Sequence, residues 1–441
     1  MTARYVIVGA GVAGIAAAER LRALAPAASI MVITDDPAGF YSRPGLAYFL
    51  SDLIPEDQLF PRSPAELRAL GLTWITERAV GLDPHAHHLT LADGRTLTYD
   101  KLLLATGATA APPDFPGGDL DGVVTLDSLE DARQIVRRAR RGTPAVVVGG
   151  GITALELAEG LHARGCHVHY LLRGDRYWAN VLDAEESQLV EGHLRALGIH
   201  IHHHTRILQA LGERGRVASV ETATGERIAC QLLAVAIGTR PRLELARSGG
   251  LATERGILAD EYLETSAADV LAAGDVAQVY DEATGRATLD TLWATARAHG
   301  AAAAMTMTGT PTAYRRSVAQ NVTLLAGIPT TIIGAMGGSG DDTDLVAIAR
   351  GDSERWRTAL PDWVVVEQHT VNRVRLMLNE RALVGAIVMG DQRLAYPLQR
   401  LIAARADITP IHAALLADGA PVVQLVADYF SAWERTYAKQ P

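Results

Sequence analysis

The chain has 441 residues, which is enough for about three domains of roughly 150 residues each. With 48% hydrophobic and 21% charged residues it has the composition of a folded globular chain, and no run of about 18 apolar residues predicts a membrane span. A formal net charge of −9 disfavours a nucleic-acid partner, because a phosphate backbone needs a basic surface. Cys166 and Cys230 form no CxxC pair, so we expect a reducing, cytoplasmic setting without a disulfide or a dithiol pair.

The first elements are a strand, a glycine-rich turn and a helix. Residues 5–9 predict a short buried strand, and residues 12–24 predict a helix. In the GxGxxG turn the first glycine permits a tight bend, the second lets the backbone approach a pyrophosphate, and the third lets helix and strand pack closely. The N–H groups at the start of the helix favour an anion. The motif consists of Gly9, Gly11, Val12, Ala13 and Gly14.

The second predicted strand, residues 29–34, ends at two acidic residues, Asp35 and Asp36. A carboxylate at this point accepts hydrogen bonds from the ribose of a dinucleotide. Asp35 is the stronger candidate and Asp36 the weaker. A glycine-rich turn alone does not explain the acid, so the unit predicts dinucleotide binding.

The segment after this unit contains a hairpin and a further buried strand. Residues 89–97 predict a hairpin around an Asp-Gly turn, and residues 101–105 predict a strand that ends in Thr106 and Gly107. Prolines and glycines between positions 112 and 118 predict a linker.

A second strand, turn and helix follow, with strands predicted at 145–148 and 167–172. The second strand leads into Arg173 and Arg176 and does not end in an acid. Arginine suits the 2′-phosphate of NADPH, whereas a carboxylate accepts the 2′-hydroxyl of NADH, so the pattern favours NADPH. Alternatively, the two arginines form a solvated face, with Asp175 neutralising one of them. The GxGxxA turn and its helix contribute Gly149, Gly151, Ile152, Thr153, Ala154 and Glu156.

The pattern of the first unit then returns. A strand at 232–237 ends in Gly238, and a strand at 270–273 ends in Gly274 and Asp275, ahead of a helix at 292–307. This order predicts that the second nucleotide unit is inserted into the first.

The C-terminal part has a different pattern of short strands followed by helices. Strands are predicted at 330–334, 345–349 and 363–367, and a hairpin from 372–378 to 381–389. Helices are predicted at 397–404, 410–416 and 422–437. These elements predict an α+β domain.

In combination, these motifs resemble the flavoprotein family with two dinucleotide-binding domains, which includes ferredoxin, rubredoxin and glutathione reductases. The resemblance covers about residues 4–310. It implies an α/β fold with two Rossmann-like domains, for FAD and NAD(P)H, the second inserted in the first, plus an α+β C-terminal domain. The implied domains are 1–110 with 241–310 for FAD, 111–240 for NAD(P)H, and 311–441 for an interface or docking domain.

The resemblance also implies which residues contact the cofactors. The FAD residues are Gly9, Gly11, Val12, Ala13, Gly14, Asp35, Asp36, Arg43, Pro44, Thr106, Gly107, Gly274, Asp275 and Trp293. The NAD(P)H residues are Gly149, Gly151, Ile152, Thr153, Ala154, Glu156, Arg173, Arg176 and Gly238.

The stretch FYSRPGLAY, residues 40–48, resembles the PYxRPPLSK segment of the ferredoxin-reductase and apoptosis-inducing-factor branch. By that resemblance Arg43 contacts the pyrophosphate, and Pro44 stands where the NADH oxidase and coenzyme A disulfide reductase branch carries a redox cysteine. Tyr48 replaces the flavin-side lysine of the family, and Glu156 matches the helix glutamate near nicotinamide and flavin, which makes both catalytic-site candidates. Trp293 is either an aromatic neighbour of the flavin or a core residue.

The resemblance implies an FAD-dependent oxidoreductase that passes a hydride from NAD(P)H to FAD and then electrons to a small redox protein such as a ferredoxin or rubredoxin. No redox-active disulfide is expected. The chain from residue 292 onward also resembles the flavoprotein portion of NAD(P)H nitrite reductase large subunits. The alternatives are an oxidase or diaphorase that uses dioxygen or a quinone, and a flavin-based NAD(P)H sensor with a mainly interaction role. The C-terminal domain is expected to serve dimerisation or partner docking.

Two side-chain clusters carry alternative interpretations. His200, His202 and His204 project from one face if they share a strand, so a three-histidine metal site is the alternative to a partly exposed strand, and we expect no metal. The arginines between positions 137 and 141 lie on a helix with Glu130. They are expected to form a solvated face, and the alternative is a docking patch for an acidic iron–sulfur protein.

Overall fold

The structure, a computed structural model, describes residues 2–282, 284–334, 372–417 and 419–437. The strands predicted at 345–349 and 363–367 lie outside the described residues. Within those residues, no helix is long and apolar enough to cross a membrane.

The N-terminal part begins with the predicted strand, helix and strand and continues into a small antiparallel sheet. Its elements are β1 (Arg4–Val8), α1 (Val12–Leu24), β2 (Ser29–Thr34), α2 (Leu46–Leu50), α3 (Pro64–Ala69), β3 (Thr73–Thr76), β4 (Ala79–Asp83), β5 (His88–Leu91), β6 (Thr96–Thr98), β7 (Lys101–Leu104) and β8 (Ala108–Ala110).

The middle part repeats the arrangement and adds an antiparallel sheet of its own. Its elements are β9 (Val123–Val124), α4 (Leu129–Arg138), β10 (Pro144–Val148), α5 (Ile152–Ala163), β11 (His167–Leu171), α6 (Ala184–Ala196), β12 (His200–His202), β13 (Ile207–Glu213), β14 (Arg216–Thr222), β15 (Arg227–Ala229), β16 (Leu232–Val235) and β17 (Thr239–Pro241).

The chain then returns to the first part before it enters the C-terminal domain. The returning elements are α7 (Glu244–Ser248), β18 (Ile257–Ala259), β19 (Val270–Ala272), β20 (Ala277–Asp281), β21 (Arg286–Leu289) and α8 (Trp293–Met307). The C-terminal elements are β22 (Gln320–Leu325), β23 (Ile328–Gly334), β24 (Arg373–Leu378), β25 (Leu383–Met389), α9 (Ala395–Ala403), α10 (Thr409–Leu415) and α11 (Val422–Tyr437).

Two parallel sheets form the nucleotide-binding units. In the described chain the first has the strand order β19-β7-β1-β2-β3, and the second has the order β12-β11-β10-β16-β9. Strand β19 follows the middle part in sequence, yet it pairs with β7 through Leu271 and Leu103. The second unit is therefore inserted into the first, which confirms the predicted α/β fold class.

Both parallel sheets are buried, and the two faces of the second pack differently. Ala145 and Val147 of β10 contact the core that contains α5, whereas Val146 lies in a core with the antiparallel strands β13–β15. Residues 5–8 of β1 and 145–147 of β10 are all buried, which explains their unbroken apolar sequences. Each unit thus has a rigid central strand that ends at its glycine turn. A short antiparallel pair, β8 with β17, joins the two units through Ala110 and Thr239.

The C-terminal sheet is antiparallel and separates two cores. Its described strands have the order β22-β23-β25-β24. Because successive side chains on a strand point to opposite faces, Ile332 and Ile387 pack against the second nucleotide unit, whereas Ile333 and Val388 pack against the C-terminal helices. The sheet is therefore a wall of the second nucleotide unit as well as the base of its own domain.

Candidate functional site

The first glycine turn has no room for side chains where it meets the sheet. Gly9 has a φ of +112°, and a Cβ atom added there would lie 2.1 Å from the carbonyl oxygen of Ala105. A Cβ atom on Gly14 would lie 2.0 Å from the carbonyl oxygen of Gly9. At Gly11, by contrast, no described atom lies within 4 Å of an added Cβ atom. The loop is tight towards the protein and open in front of helix α1.

The second glycine turn repeats this geometry. Gly149 has a φ of +144°, and a Cβ atom there would lie 2.1 Å from the carbonyl oxygen of Ala236. Around Gly151 no described atom lies within 4 Å of an added Cβ atom. Neither α1 nor α5 has a side-chain cap or an acidic residue in its first turn within the described chain. Both helix starts therefore present N–H groups and a partial positive charge to open space.

The two turns face one cleft of about 1060 Å³. It is lined by most of the residues predicted from the sequence to contact a cofactor. From the first unit these are Gly9, Gly11, Val12, Ala13, Asp35, Asp36, Arg43, Pro44, Thr106, Gly107, Gly274, Asp275 and Trp293. From the second unit they are Gly149, Gly151, Ile152, Thr153, Arg173, Arg176 and Gly238.

Four predicted residues are not among the described residues that line the cleft: Gly14, Ala154, Tyr48 and Glu156. The first two are buried and pack helix against strand. Tyr48 lies on α2 and Glu156 on α5, and these helices pack together: a Cβ atom on Gly160 of α5 would lie 3.0 Å from the Cβ atom of Leu50 on α2. The structure thus places both catalytic candidates on the helix pair beside the cleft.

The two acids after β2 differ in their surroundings. Asp36 is half-buried, and its carboxylate accepts hydrogen bonds from the Tyr41 hydroxyl at 2.9 Å and the Ala38 N–H at 3.0 Å. Asp35 is exposed at the edge of the cleft. The carboxylate with capacity for a ribose is therefore Asp35, because Asp36 shapes the following loop.

Arg43 joins the first unit to the second. Its guanidinium donates a hydrogen bond to the carbonyl oxygen of Asp127 and lies 3.6 Å from the carboxylate of the same residue. Burial lowers the pKa of Arg43, but the nearby Tyr41, Asp127, Asp36 and Asp275 outweigh it and raise the pKa above its ordinary value. The side chain is held as a cation on the wall of the cleft.

Asp127 is a residue that the sequence reasoning missed. Besides Arg43, its carboxylate accepts a hydrogen bond from Thr109 at 2.8 Å and one from Arg242 at 2.9 Å. It therefore holds together the two crossings between the units and the Arg43 loop. The sequence feature that could have identified Asp127 is the capping box of Ser128 and Asp131, because it places Asp127 immediately before helix α4.

The Gly274-Asp275 turn is supported by a buried histidine that was also missed. The N–H of Gly274 donates to Nδ1 of His299 at 3.4 Å. Burial lowers the pKa of His299 to about 4, with Asp290 opposing this shift and Arg316 adding to it. A neutral imidazole is thus available as the acceptor near pH 7.

Trp293 begins helix α8 and lines the cleft. Its ring is stacked on Phe40, with centroids 6.2 Å apart and an interplanar angle of 21°. The side chain is half-buried, which fits a wall of the cleft better than an interior core position.

The cleft wall beyond strand β11 of the second unit is basic. Arg176 is bound to Asp175 at 3.1 Å and to the carbonyl oxygen of Ala179 at 3.3 Å, as the alternative interpretation of this pair proposed. Arg173 is exposed on the cleft wall, and Arg206 lies exposed on the same wall. The sequence reasoning missed Arg206 because it comes from the link between β12 and β13, over 30 positions from Arg173.

The helix pair beside the cleft carries a second carboxyl group. Burial, and then the proximity of Glu156, raise the pKa of Glu159 to about 8, while the backbone N–H groups of Ala326 and Gly327 oppose the shift. Glu159 is thus held mostly protonated near pH 7 where the C-terminal β22–β23 turn meets α5.

The histidines do not alternate along one strand, as a metal site made of His200, His202 and His204 would require. His200 and His202 lie on β12, but the strand ends at His202, and His204 has a φ of +51°. Nδ1 of His169, on the neighbouring strand, lies 2.9 Å from Nε2 of His202. In the described chain no group of three or more His, Cys, Asp or Glu side chains is arranged to hold a metal ion.

The arginine run was expected on one helix, but α4 ends at Arg138, so Arg140 and Arg141 lie beyond it; the two arginines on the helix form ion pairs on an exposed face. Arg137 bonds Glu130 at 2.6 Å, and Arg138 bonds Asp121 at 2.5 Å. Both arginines are at least 38% exposed, which matches the expected solvated face.

Both cysteines of the described chain are free and buried. Burial raises the pKa of Cys166 to about 11 and the pKa of Cys230 to about 12, so neither is a reactive thiolate near pH 7. Pro44 lines the cleft at the position where a redox cysteine was considered.

Comparisons with known proteins give a consistent result. The family model described as pyridine nucleotide-disulphide oxidoreductase matches residues 3–300. The biphenyl dioxygenase system ferredoxin–NAD(+) reductase component of Paraburkholderia xenovorans is 32% identical over 350 residues, which are 79% of this chain and 84% of the relative. The rubredoxin–NAD(+) reductase of Pseudomonas putida is 32% identical over 62% of this chain and 71% of the relative. The reductase in a covalent putidaredoxin reductase–putidaredoxin complex has the same fold, with a TM-score of 0.82, 22% identity and coverage of 97% of this chain and 98% of that chain.

Proposed function

Because the chain belongs to the pyridine nucleotide-disulphide oxidoreductase family, we propose that it is an FAD-dependent NAD(P)H oxidoreductase that passes electrons to a small redox protein of the ferredoxin or rubredoxin type. The observation that carries the proposal is the single cleft onto which both glycine turns open. FAD, when bound, accepts a hydride from NAD(P)H and releases electrons to the acceptor. The protein's part is to bind, orient and shield the reacting groups.

The first unit fits FAD. Open space in front of Gly11 and the uncapped start of α1 suit a pyrophosphate, and Val12 and Ala13 supply N–H groups there. Asp35 would bind the ribose, and Arg43 would contribute a charge-assisted hydrogen bond of about 1.5 to 3 kcal/mol. The remaining contacts are assigned to Asp36 through the loop it shapes, and to Pro44, Thr106, Gly107, Gly274, Asp275 and Trp293.

The second unit fits the pyridine nucleotide. Gly151, Ile152 and Thr153 would receive its pyrophosphate at the start of α5, and Gly238 borders the same space. Gly149 and Ala154 hold the turn close to the sheet, as Gly14 does in the first unit. Glu156 and Tyr48, on the neighbouring helix pair, are proposed to act from beside the cleft near the flavin and the nicotinamide, with Tyr48 on the flavin side.

The choice between NADPH and NADH rests on the part of the cleft wall that carries Arg173 and Arg206, which we call the basic wall. Arg173 and Arg206 are both exposed there, and Asp175 is bound to Arg176, so the wall suits a 2′-phosphate better than a 2′-hydroxyl. We propose a preference for NADPH, with NADH as the second substrate. The names of the relatives, which are NAD(+) reductases, argue for the opposite preference. The ratio of kcat/KM for the two nucleotides distinguishes the two arguments.

Electrons leave without a thiol relay in this proposal. Both cysteines are buried with raised pKa values, and Pro44 replaces the redox cysteine. The acceptor would therefore approach the cleft directly. The free, buried thiols also support a reducing cytoplasmic location.

We assign residues 1–110 and 241–310 to the FAD domain, 111–240 to the NAD(P)H domain and 311–441 to a C-terminal interface domain.

The C-terminal helices expose apolar side chains, including Leu416 at 62% and Tyr396 at 58%, which supports a role in homodimerisation. Light scattering of the purified protein would test whether it forms a homodimer.

The function is tested by electron transfer to purified acceptors. The FAD-loaded protein is mixed with NADPH or NADH and with a [2Fe–2S] ferredoxin, a rubredoxin, a quinone or dioxygen. We expect rapid multiple turnover with an iron–sulfur protein or rubredoxin and slow reaction with dioxygen and the quinone. Turnover only with dioxygen or the quinone would contradict the proposed acceptor, and slow reoxidation with a change of oligomeric state would support a sensor.

A further inference from the structure

The segment of residues 176–183 connects the nucleotide cleft to the interior of the protein. Arg176, Trp178, Ala179 and Asn180 line the cleft, whereas Val181 and Leu182 belong to the core that the second unit shares with the C-terminal sheet. The segment is therefore one wall of the cleft, and its position depends on what holds its far side.

The backbone of this segment adopts a conformation that needs external support. Trp178 has a φ of +51°, which is rare for a bulky side chain, and it is only 3% exposed. Its carbonyl oxygen accepts the N–H groups of Val181 and Leu182, each at 2.9 Å. Such a conformation persists where the surroundings fix it.

Part of that support comes from helix α6 of the same unit. The N–H of Tyr177 donates to the carboxylate of Glu191 at 2.8 Å, and the Ser187 hydroxyl donates to the carbonyl oxygen of Tyr177 at 2.7 Å. These bonds hold the beginning of the segment.

The end of the segment is held by the C-terminal domain. Arg375 on β24 donates one hydrogen bond to the carbonyl oxygen of Val181 at 2.6 Å and another to the carboxylate of Glu186 at 2.9 Å. Arg373, two positions earlier and on the same face of the strand, bonds Asp183 at 2.8 Å and pairs with Glu185. Arg373 and Arg375 of the C-terminal domain thus hold the end of the 176–183 segment, which belongs to the second nucleotide unit.

The contacts of these two arginines are hard to replace because one of the carboxylates that they compensate is buried. The side chain of Glu186 is 0% exposed, and its carboxylate is compensated by Arg375 at 2.9 Å, by the N–H of Asp183 at 2.9 Å and by Arg373 at 3.8 Å. Removing one partner of a buried ion pair leaves an uncompensated charge, and a lysine offers a point charge without the forked donors that reach both Val181 and Glu186.

We propose that Arg375, assisted by Arg373, is a positioning residue for the pyridine nucleotide, through which the C-terminal domain fixes the 176–183 wall of the cleft. This inference rests on the proposed function, because it requires the nucleotide to bind at the second glycine turn. It gives the C-terminal domain a part in nucleotide affinity in addition to any role as an interface.

The test compares three variants of the full-length, FAD-loaded protein: Arg375→Ala, Arg375→Lys and Arg393→Ala. Arg393 is the matched control, since it lies in the same domain, is 81% exposed and, among the described residues, forms its ion pair with Asp391, two positions away. For each we would measure the dissociation constants of NADP+ and NAD+ by calorimetry, the KM and kcat for both reduced nucleotides with ferricyanide, and the flavin spectrum.

We expect Arg375→Ala to raise the dissociation constant and the KM at least about tenfold while kcat stays within about twofold, since it removes binding and leaves the reacting groups in place. Arg375→Lys should recover part of the affinity, and Arg393→Ala should match the unchanged protein. The flavin spectrum should be the same in all.

An unchanged dissociation constant in folded Arg375→Ala would overturn the inference. If that variant does not fold, Arg375→Lys with wild-type affinity would overturn it equally, because lysine has one donor nitrogen in place of the two that contact Val181 and Glu186. Equal losses of kcat and of FAD content, with KM unchanged, would indicate a structural role only. Failure of the unmodified protein to bind either nucleotide would instead contradict the proposed function.

Discussion

The two glycine turns share one backbone geometry, but the two nucleotide units differ in the charge they place at the cleft. In both turns an added Cβ atom at the first glycine would lie 2.1 Å from a carbonyl oxygen of the neighbouring strand. The first unit then presents Asp35, whereas the second presents Arg173 and Arg206. In the proposed function, the backbone of each turn fixes where a pyrophosphate binds, and the charge that each unit places on the cleft wall decides which nucleotide binds there.

The largest expected effect comes from filling either turn. Gly9→Ala should abolish FAD binding, whereas Gly149→Ala should keep FAD and weaken the pyridine nucleotide by at least about 2 kcal/mol, or about thirtyfold. The reason is that each alanine would collide with a backbone carbonyl that cannot move without its strand. Flavin content by absorbance and nucleotide affinity by calorimetry check the two arms. Loss of FAD from both variants would show that the two units do not bind separately.

The next effect concerns the basic wall. Arg173→Ala combined with Arg206→Ala should lower kcat/KM for NADPH about tenfold or more relative to NADH, because two cations near the 2′-phosphate are removed. Arg214→Ala is the control, since Arg214 is exposed on the turn between β13 and β14. An unchanged ratio of kcat/KM in the double variant would remove the argument for NADPH.

The two units should also respond in opposite directions to pH. The pKa of His299 in the first unit is lowered by burial from 6.5 to about 4, so its contribution to stability is intact above pH 6.5 and is lost as the pH falls towards 4. The pKa of Glu159 in the second unit is raised by burial from 4.5 to about 8, so its contribution is intact below pH 4.5 and is lost as the pH rises towards 8.

Chemical unfolding between pH 4 and 9 checks this contrast. His299→Gln should remove the rise in stability that His299 causes between pH 4 and 6.5, and Glu159→Gln should remove the fall that Glu159 causes between pH 4.5 and 8. If each variant kept the slope of the unmodified protein in its own pH range, these groups would not be the source of the pH dependence.

The smallest effect is expected on the exposed face of α4. Arg137→Ala should leave the free energy of unfolding almost unchanged, because its ion pair with Glu130 is solvated. Turnover with a ferredoxin should be unchanged. A raised KM for the ferredoxin, with a weaker dependence on salt, would instead favour the alternative that this face is a docking patch.

The sequence predicted the glycine turns, the insertion of the second unit and most of the cleft wall, because these follow from local backbone constraints. It did not predict Asp127, His299 or Arg206, whose roles depend on elements brought together from distant parts of the chain. Tyr48 and Glu156 illustrate a different limit: motif spacing identified them, but α2 and α5 place them beside the cleft, outside its described lining. The hydrogen bond from Arg375 to the carbonyl oxygen of Val181 likewise joins residues almost 200 positions apart.

The central claim is that a nucleotide at the second turn reduces a flavin at the first. Anaerobic stopped-flow absorbance of the FAD-loaded protein, mixed separately with NADPH and NADH, tests it most directly. We predict rapid bleaching of the flavin band, faster with NADPH, and much slower bleaching in Gly149→Ala at the same subsaturating nucleotide concentration. A protein that binds no flavin, or whose flavin neither nucleotide reduces, would contradict the account.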